Sequence, residues 1–131
     1  MQRRQLLQAG SAFGTMGLMS GCASIGGNGP KVVVIGAGYA GATAAKYIRM
    51  WSEGSIQVTL VEPNDSFISC PISNLVIGGS KSMADITTPY DNLVKRHGVQ
   101  MVKDRVASID TAKRIVKLAG GSELPYDRLV V

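Results

Sequence analysis

Apolar and polar positions along the chain predict alternating strands and helices. The run KVVVIG (31–36) is rich in β-branched residues and ends in glycine, which is typical of a buried parallel strand. The Ala-rich stretch 39–51 predicts a helix, and IQVTLVE (56–62) alternates apolar and polar positions as a strand does. This order of strand, helix and strand predicts an α/β fold with a parallel sheet.

The remaining pattern predicts short elements that extend this unit. In chain order these are a loop region at 63–84 with a short helix at ISNLVIG (72–78), a helix from about Tyr90 to Gly98, a strand-like stretch at 99–110, two short strands around Gly120-Gly121, and a final apolar strand at 128–131. The strands around the glycine pair predict a small β-excursion from the sheet. Because the last strand has nothing after it, we interpret the chain as an N-terminal fragment, truncated at the C-terminus.

Residues 1–30 predict an export signal and a linker, and residues 31–131 the domain. Arg3 and Arg4 precede two leucines and a glycine-containing apolar run, an order that resembles a twin-arginine signal. An ordinary Sec signal and a chance basic start are the alternatives. The twin-arginine route carries folded proteins, so we expect a periplasmic protein that is exported with its cofactor loaded.

Cys22 follows small residues at the end of the apolar run, as the cysteine of a lipoprotein cleavage box does. Met19 stands where leucine is usual in such a box. A lipid on Cys22 would anchor the protein at a membrane. The alternative is that Cys22 is cut away or left in a flexible start, and we then expect no membrane attachment. Either way, residues 31–131 hold one cysteine, Cys70, which cannot form a disulfide within the domain.

Charge and composition weigh against two classes of site. The net charge is +5, but from residue 31 onward 12 basic and nine acidic residues leave a balance of +3. Aromatic residues make up 5% and do not form a stacking surface with the basic ones, so no nucleic-acid partner is expected. Two cysteines and one histidine do not build a metal site. The other polar candidates are assigned as helix caps, surface residues or solvated charges: His97, Asp85, Asp91, Asp104 and Asp110.

The most informative motif is GAGYAG, which spaces three glycines as GxGxxG. Gly36 permits a tight turn, Gly38 leaves room for a pyrophosphate, and Gly41 lets the helix pack closely on the strand. Tyr39 and Ala40 begin the helix, whose free N–H groups and positive dipole end favour phosphate. Together these residues predict a dinucleotide site.

Glu62 is the predicted partner of the adenosine ribose. It ends the second strand, where a carboxylate can accept both ribose hydroxyls and would repel a 2′-phosphate, so NADP is not expected. The motif does not decide between FAD and NAD. A glycine-rich turn with an incidental glutamate is the structural alternative.

Four stretches resemble the flavin subunit of flavocytochrome c sulfide dehydrogenase: KVVVIGAGYAGATAAKYIR, VTLVEPN, C-x-x-SN-x-VIGG and YDRLVV. The resemblance extends over nearly all of 31–131 and implies a Rossmann-type FAD-binding domain. It implies oxidation of sulfide, with electrons passing through FAD to a c-type cytochrome subunit. It also implies a backbone amide near Val106 at the adenine edge, where a plain β-meander is the alternative, and a catalytic pair of redox-active cysteines beyond Val131.

The same resemblance gives Cys70 a function. In that family the matching cysteine carries the flavin through a thioether to the 8α-methyl carbon. Pro71 departs from the family pattern, since the family does not require proline there, and it would stiffen the loop. The loop after the second strand lies beyond the carboxyl end of the sheet, where a cofactor binds, which agrees with that function. The alternatives are a buried cysteine acting as a small hydrophobe, or non-covalent FAD with Cys70 unused.

Two other functions remain open from the sequence. One is a different FAD-dependent oxidoreductase, linked to NAD(P)H or to a quinone. The other is a noncatalytic dinucleotide-binding module. If the sulfide dehydrogenase resemblance holds, we expect the 131-residue chain alone to be inactive, because it lacks the cysteines that would react with sulfur.

Overall fold

A βαβ unit opens the part of the chain that the computed structural model describes, residues 29–131. The predicted twin arginines and Cys22 lie outside the described residues. The elements are β1 (Lys31–Ile35), α1 (Tyr39–Trp51), β2 (Gln57–Val61), β3 (Ser66–Ile68), α2 (Ser73–Ile77), β4 (Thr87–Pro89), α3 (Asp91–His97), β5 (Gln100–Val102), β6 (Val106–Asp110), β7 (Ile115–Leu118), β8 (Glu123–Pro125) and β9 (Arg128–Val130). Short 3₁₀ turns, Cys70–Ile72 and Ala84–Ile86, precede α2 and β4.

The central sheet has four parallel strands in the order β5-β2-β1-β9. One of its two inner strands, β1, pairs with β2 along its whole length and with β9 on its other side, where Val33 lies opposite Leu129. Asp127 fastens that second pairing: its carboxylate accepts the Lys31 N–H at 2.7 Å, and its own N–H donates to the Lys31 carbonyl at 2.8 Å. The predicted α/β fold with a parallel sheet is confirmed.

The two faces of the sheet are covered differently. On one face, Val34 and Leu60 pack with Ala45 of α1 in a cluster that α3 also contacts through Leu93. On the other face, Val33 and Val61 form a second cluster with two buried residues of β7, Val116 and Leu118. Successive residues of β1 therefore face opposite clusters, which explains why this strand is apolar throughout rather than alternating.

The second cluster is covered by a separate antiparallel sheet, β6-β7-β8, which is the predicted β-excursion. The prediction of one strand-like stretch at 99–110 is incomplete, because β5 and β6 belong to different sheets. Asp104 lies between them and accepts hydrogen bonds from the Arg105 and Gly120 N–H groups. The chain leaves the parallel sheet at that turn and returns to it at β9.

The antiparallel pair β3–β4 was not predicted, because 63–84 was assigned to a loop and no strand was assigned before the helix at Tyr90. Each strand has three residues, too few to show a period of two. The short helix predicted at 72–78 is present as α2. The helix predicted from about Tyr90 is α3, which ends at Gly98 in the left-handed conformation, with φ 63°.

Arg49 holds the ends of three elements together. Its guanidinium donates to the carbonyls of Gly54 and Ile56 at 2.6 Å and to that of His97 at 2.9 Å. His97 ends α3 as predicted, but it is half-buried rather than fully at the surface. Within residues 29–131 no helix is both long enough and apolar enough to cross a membrane.

Candidate dinucleotide-binding site

The three glycines of the GxGxxG motif, two in the loop after β1 and one in the first turn of α1, are explained by different structural requirements. Gly36 has a positive φ of 87°, which favours glycine. A Cβ on Gly41 would lie 1.8 Å from the Gly36 carbonyl oxygen, so this glycine is required by packing. A Cβ on Gly38 would meet no protein atom within 4 Å. Since neither conformation nor packing requires glycine at 38, the open space there fits the close approach of a ligand.

The start of α1 is suited to an anion. Gly38 is the N-cap residue, no side chain caps the helix, and its first turn contains no acidic residue. Ala42 donates to the Gly38 carbonyl at 2.9 Å, so the preceding N–H groups have no acceptor within the helix. Tyr39 and Ala40, both exposed, carry two of these groups. Their donors and the helix dipole can hold a phosphate.

Glu62 is 8% exposed and points back towards the glycine loop. Its Oε2 accepts the Ala37 N–H at 2.9 Å, and its Oε1 accepts the backbone and side-chain N–H groups of Asn64 at 2.9 and 2.6 Å. Burial raises the pKa of the Glu62 carboxyl, but these hydrogen bonds and the charge of Arg105 outweigh it, and the pKa is lowered overall. The side chain is therefore a carboxylate at neutral pH.

The hydrogen bonds of Glu62 limit what it can accept from a ligand. A carboxylate offers about four acceptor positions, and three N–H donors already use Glu62. Direct bonds to both ribose hydroxyls, as predicted, would need one of these donors to leave. Asn64 was missed as a site residue, although an asparagine two residues after the carboxylate is a common turn signal.

A cleft of about 520 Å³ joins the phosphate loop to the predicted ribose acid. Gly38 lies at one side and Glu62 at another, with Phe67 and Tyr90 completing the wall. Val106 begins β6, next to the Arg105 whose charge acts on Glu62, and packs at the edge of the second cluster. The structure thus brings the glycine loop and Glu62 together, while the contact of Val106 with an adenine stays a prediction.

Cys70 is exposed, so the alternative of a buried, core-filling cysteine is wrong. It begins a 3₁₀ turn with Pro71 in its first positions, and its carbonyl accepts the Ser73 hydroxyl at 2.7 Å. None of the residues of this turn or of α2 is buried. The thiol is accessible on a segment that contributes little to the core.

This exposed turn is fastened to the glycine loop through its neighbours. The hydroxyls of Tyr39 and Ser69 are hydrogen-bonded. The Tyr39 ring also contacts the Phe67 ring edge-on, with centroids 4.6 Å apart and planes at 72°. Ser69 is buried and was not identified from the sequence, because nothing in a lone serine indicates its partner. The loop of Cys70 therefore lies beside the start of α1.

A profile of the pyridine nucleotide-disulphide oxidoreductase family matches residues 30–131. The chain belongs to this family. Its fold is the family's Rossmann-like FAD-binding fold, and a solved structure of sulfide:quinone oxidoreductase from Aquifex aeolicus superimposes with a TM-score of 0.67 at 27% identity, over 76% of this chain and 23% of that one. Family membership and the flavoprotein relatives imply that the cofactor is FAD.

Two curated relatives concern sulfide. The chain is 54% identical over 46 residues to the flavoprotein chain of sulfide dehydrogenase [flavocytochrome c] from Chlorobaculum thiosulfatiphilum, which is 35% of this chain and 94% of that sequence. It is 29% identical over 118 residues to mitochondrial sulfide:quinone oxidoreductase from Mus musculus, 90% of this chain and 26% of that one. The chain thus spans about a quarter of the length of the mouse relative.

Proposed function

We propose that this chain is the FAD-binding part of an exported sulfide dehydrogenase that passes electrons to a c-type cytochrome. The observation that carries the proposal is the 54% identity to a flavocytochrome c flavoprotein chain. Oxidation of sulfide to zero-valent sulfur releases two electrons, the number that one flavin accepts before passing them singly to haem. The two cysteines of the 131 residues, Cys22 and Cys70, are not proposed to receive the sulfur.

The residues that would hold FAD follow from the geometry of the glycine loop. Gly36 and Gly41 shape the turn, and Gly38 leaves the open space that the pyrophosphate would fill. The N–H groups of Tyr39 and Ala40 would donate to its oxygens. The remaining contacts would be made to the adenosine: one ribose hydroxyl on Glu62 and the adenine edge on the Val106 amide.

Cys70 is proposed to carry the flavin covalently. Its Sγ would bond to the 8α-methyl carbon, with loss of the thiol proton and of one methyl hydrogen. Two electrons and two protons leave in total, and dioxygen or the enzyme's own electron acceptor takes the electrons. The exposure of the thiol, and its place beside the start of α1, support this assignment.

Acid precipitation of the full-length protein tests the tether. We expect yellow flavin in the pellet for the wild type and in the supernatant for Cys70→Ser. Cys22→Ser, which changes the chain's other cysteine, is the matched control and should keep its flavin in the pellet. Complete release of flavin from the wild type would show that the FAD is held without a covalent bond.

The electron acceptor is tested separately, because the likeness to sulfide:quinone oxidoreductases favours a quinone as the second candidate. Sulfide is added to the purified holoenzyme with either a c-type cytochrome or a soluble quinone. We expect rapid haem reduction and slow quinone reduction. The reverse preference would favour a quinone-linked enzyme with the same FAD site.

The proposed export route and anchor rest on the sequence. Replacing both Arg3 and Arg4 by lysine should retain the protein in the cytoplasm if the twin-arginine route is used, and should have little effect on a Sec substrate. A fatty-acid label that is present in the wild type and absent from Cys22→Ser would show lipid attachment. Recovery of an unlabelled, soluble periplasmic protein would instead show that Cys22 carries no anchor.

A further inference from the structure

We infer that the Tyr39 hydroxyl positions Cys70 for thioether formation, acting through Ser69. The inference rests on the proposed function, since it concerns the covalent attachment of the flavin. The sequence motif predicts Tyr39 only as a residue at the start of a phosphate-binding helix. Its side chain serves a second purpose that the glycine motif does not indicate.

The backbone of Tyr39 is held in place by the phosphate loop, because Tyr39 is the first residue of α1 and follows Gly38 directly. Gly41, two residues further on, is packed against the backbone of Gly36, which fixes the start of the helix relative to β1. The Tyr39 ring extends from this fixed backbone towards β3, where it meets Phe67. Its position is thus set by the same packing that shapes the dinucleotide site.

Ser69 receives this contact one residue before the reactive cysteine. Its hydroxyl bonds the Tyr39 hydroxyl, its N–H donates to the Ile86 carbonyl at 2.9 Å, and the residue is 7% exposed. The turn that starts at Cys70 has no buried residue and no side-chain cap. Ser69 is therefore the last well-packed residue before the thiol, and the direction in which Cys70 leaves the core depends on it.

The hydroxyl pair is expected to affect the attachment rate rather than FAD affinity. Affinity depends on the open space at Gly38, the helix N–H groups and Glu62, and none of these requires the Tyr39 oxygen. Bond formation depends on holding the sulfur close to the carbon, and a displacement of about 1 Å costs up to about 100-fold in rate. Loss of one hydrogen bond next to the cysteine should cost about tenfold.

The experiment uses full-length apoprotein made in riboflavin-starved cells and mixed with FAD. Quenching of flavin fluorescence gives the non-covalent dissociation constant, and acid-stable flavin sampled over time gives the attachment rate. Tyr39→Phe keeps the ring and removes one oxygen, while Ser69→Ala removes its partner. Each should slow attachment about tenfold, and Ser69→Ala, which removes no proposed FAD contact, should keep the dissociation constant within about twofold. The double variant should be no slower than either single one.

Tyr47→Phe is the control, because Tyr47 lies on the same helix with its ring against Trp51, 4.9 Å between centroids. It should attach flavin at the wild-type rate. An unchanged rate in Tyr39→Phe, or losses that multiply in the double variant, would overturn the inference while leaving the tether intact. If wild-type protein forms no acid-stable flavin, the tether is refuted and the positioning function with it.

Discussion

The glycine loop with Glu62 and the turn with Cys70 lie next to each other but are built in opposite ways. In the first region Glu62 is buried and hydrogen-bonded, Gly36 is required by its positive φ, and Gly41 is required by packing. Around Cys70 the side chains are exposed, and the following helix, α2, has five residues and no side-chain cap. Ile77 at its end is 88% exposed.

The difference shows how one cofactor site can combine two kinds of structure. The first region must be preorganised, because donors that reorganise on binding would lose affinity. The second must let a thiol reach a ligand atom, which a buried cysteine could not do. Substitutions should therefore affect stability or FAD affinity in the first region and covalent attachment in the second.

The largest effect should come from Gly41→Ala. The added Cβ would meet the Gly36 carbonyl oxygen at 1.8 Å, in a backbone that cannot yield without moving α1 off β1. We expect a loss of about 3 kcal/mol in the free energy of unfolding. Urea denaturation of the full-length protein measures it.

Gly38→Ala is the matched control for that substitution. Its Cβ would meet no protein atom, and the residue has a φ of −67° that alanine adopts freely. Stability should change by less than about 0.5 kcal/mol, whereas FAD should bind at least about tenfold more weakly, or about 1.4 kcal/mol. Equal destabilisation by both alanines would contradict the different reasons assigned to the two glycines.

Glu62→Gln should have an intermediate effect on stability. A glutamine has one acceptor oxygen, so its NH₂ group must face the N–H of Ala37 or the donors of Asn64. An unsatisfied buried donor costs about 1–3 kcal/mol. A midpoint of urea unfolding equal to that of the wild type would show that the carboxylate is not required by its neighbours.

The same residue should make stability depend on pH in the acid range. Its folded pKa lies below the ordinary 4.5, so its contribution is complete above that value and is lost as pH falls through the folded pKa. Asp85 and Asp91 also have lowered pKa values, from hydrogen bonds of Ser82 and Lys95 respectively. Subtracting the Glu62→Gln profile from the wild-type profile isolates Glu62, and parallel profiles would contradict its lowered pKa.

The smallest effect should come from Ile77→Ser in α2. The side chain is 88% exposed in the described structure, so its replacement should change the free energy of unfolding of residues 31–131 by less than about 0.5 kcal/mol. Thermal unfolding of that segment, prepared beside its wild-type form, measures this. A large loss in the free energy of unfolding would show that Ile77 and α2 pack against the rest of the protein, contrary to the exposure of that side chain.

The regions that could be predicted from the sequence are those where local rules decide. β1 and α1 start where the apolar run and the GxGxxG spacing indicate, because Gly36 and Gly41 act on neighbours close in the chain. The β3–β4 pair was missed, because each strand has only three residues and its partner lies about twenty positions away in the chain. Ser69 was missed for the same reason, because its hydroxyl bonds to that of Tyr39, which is distant in sequence.

Asp127 and Lys31 join the last strand to the first across 96 residues. While the ribosome synthesises the chain, one edge of β1 stays open until residues 127–130 have emerged. A parallel pairing at such separation is slow to form, because the loop must close before its contacts reward it. The exposed edge is a site for aggregation during that interval. Expression at low temperature or with a chaperone should therefore raise the yield of soluble protein.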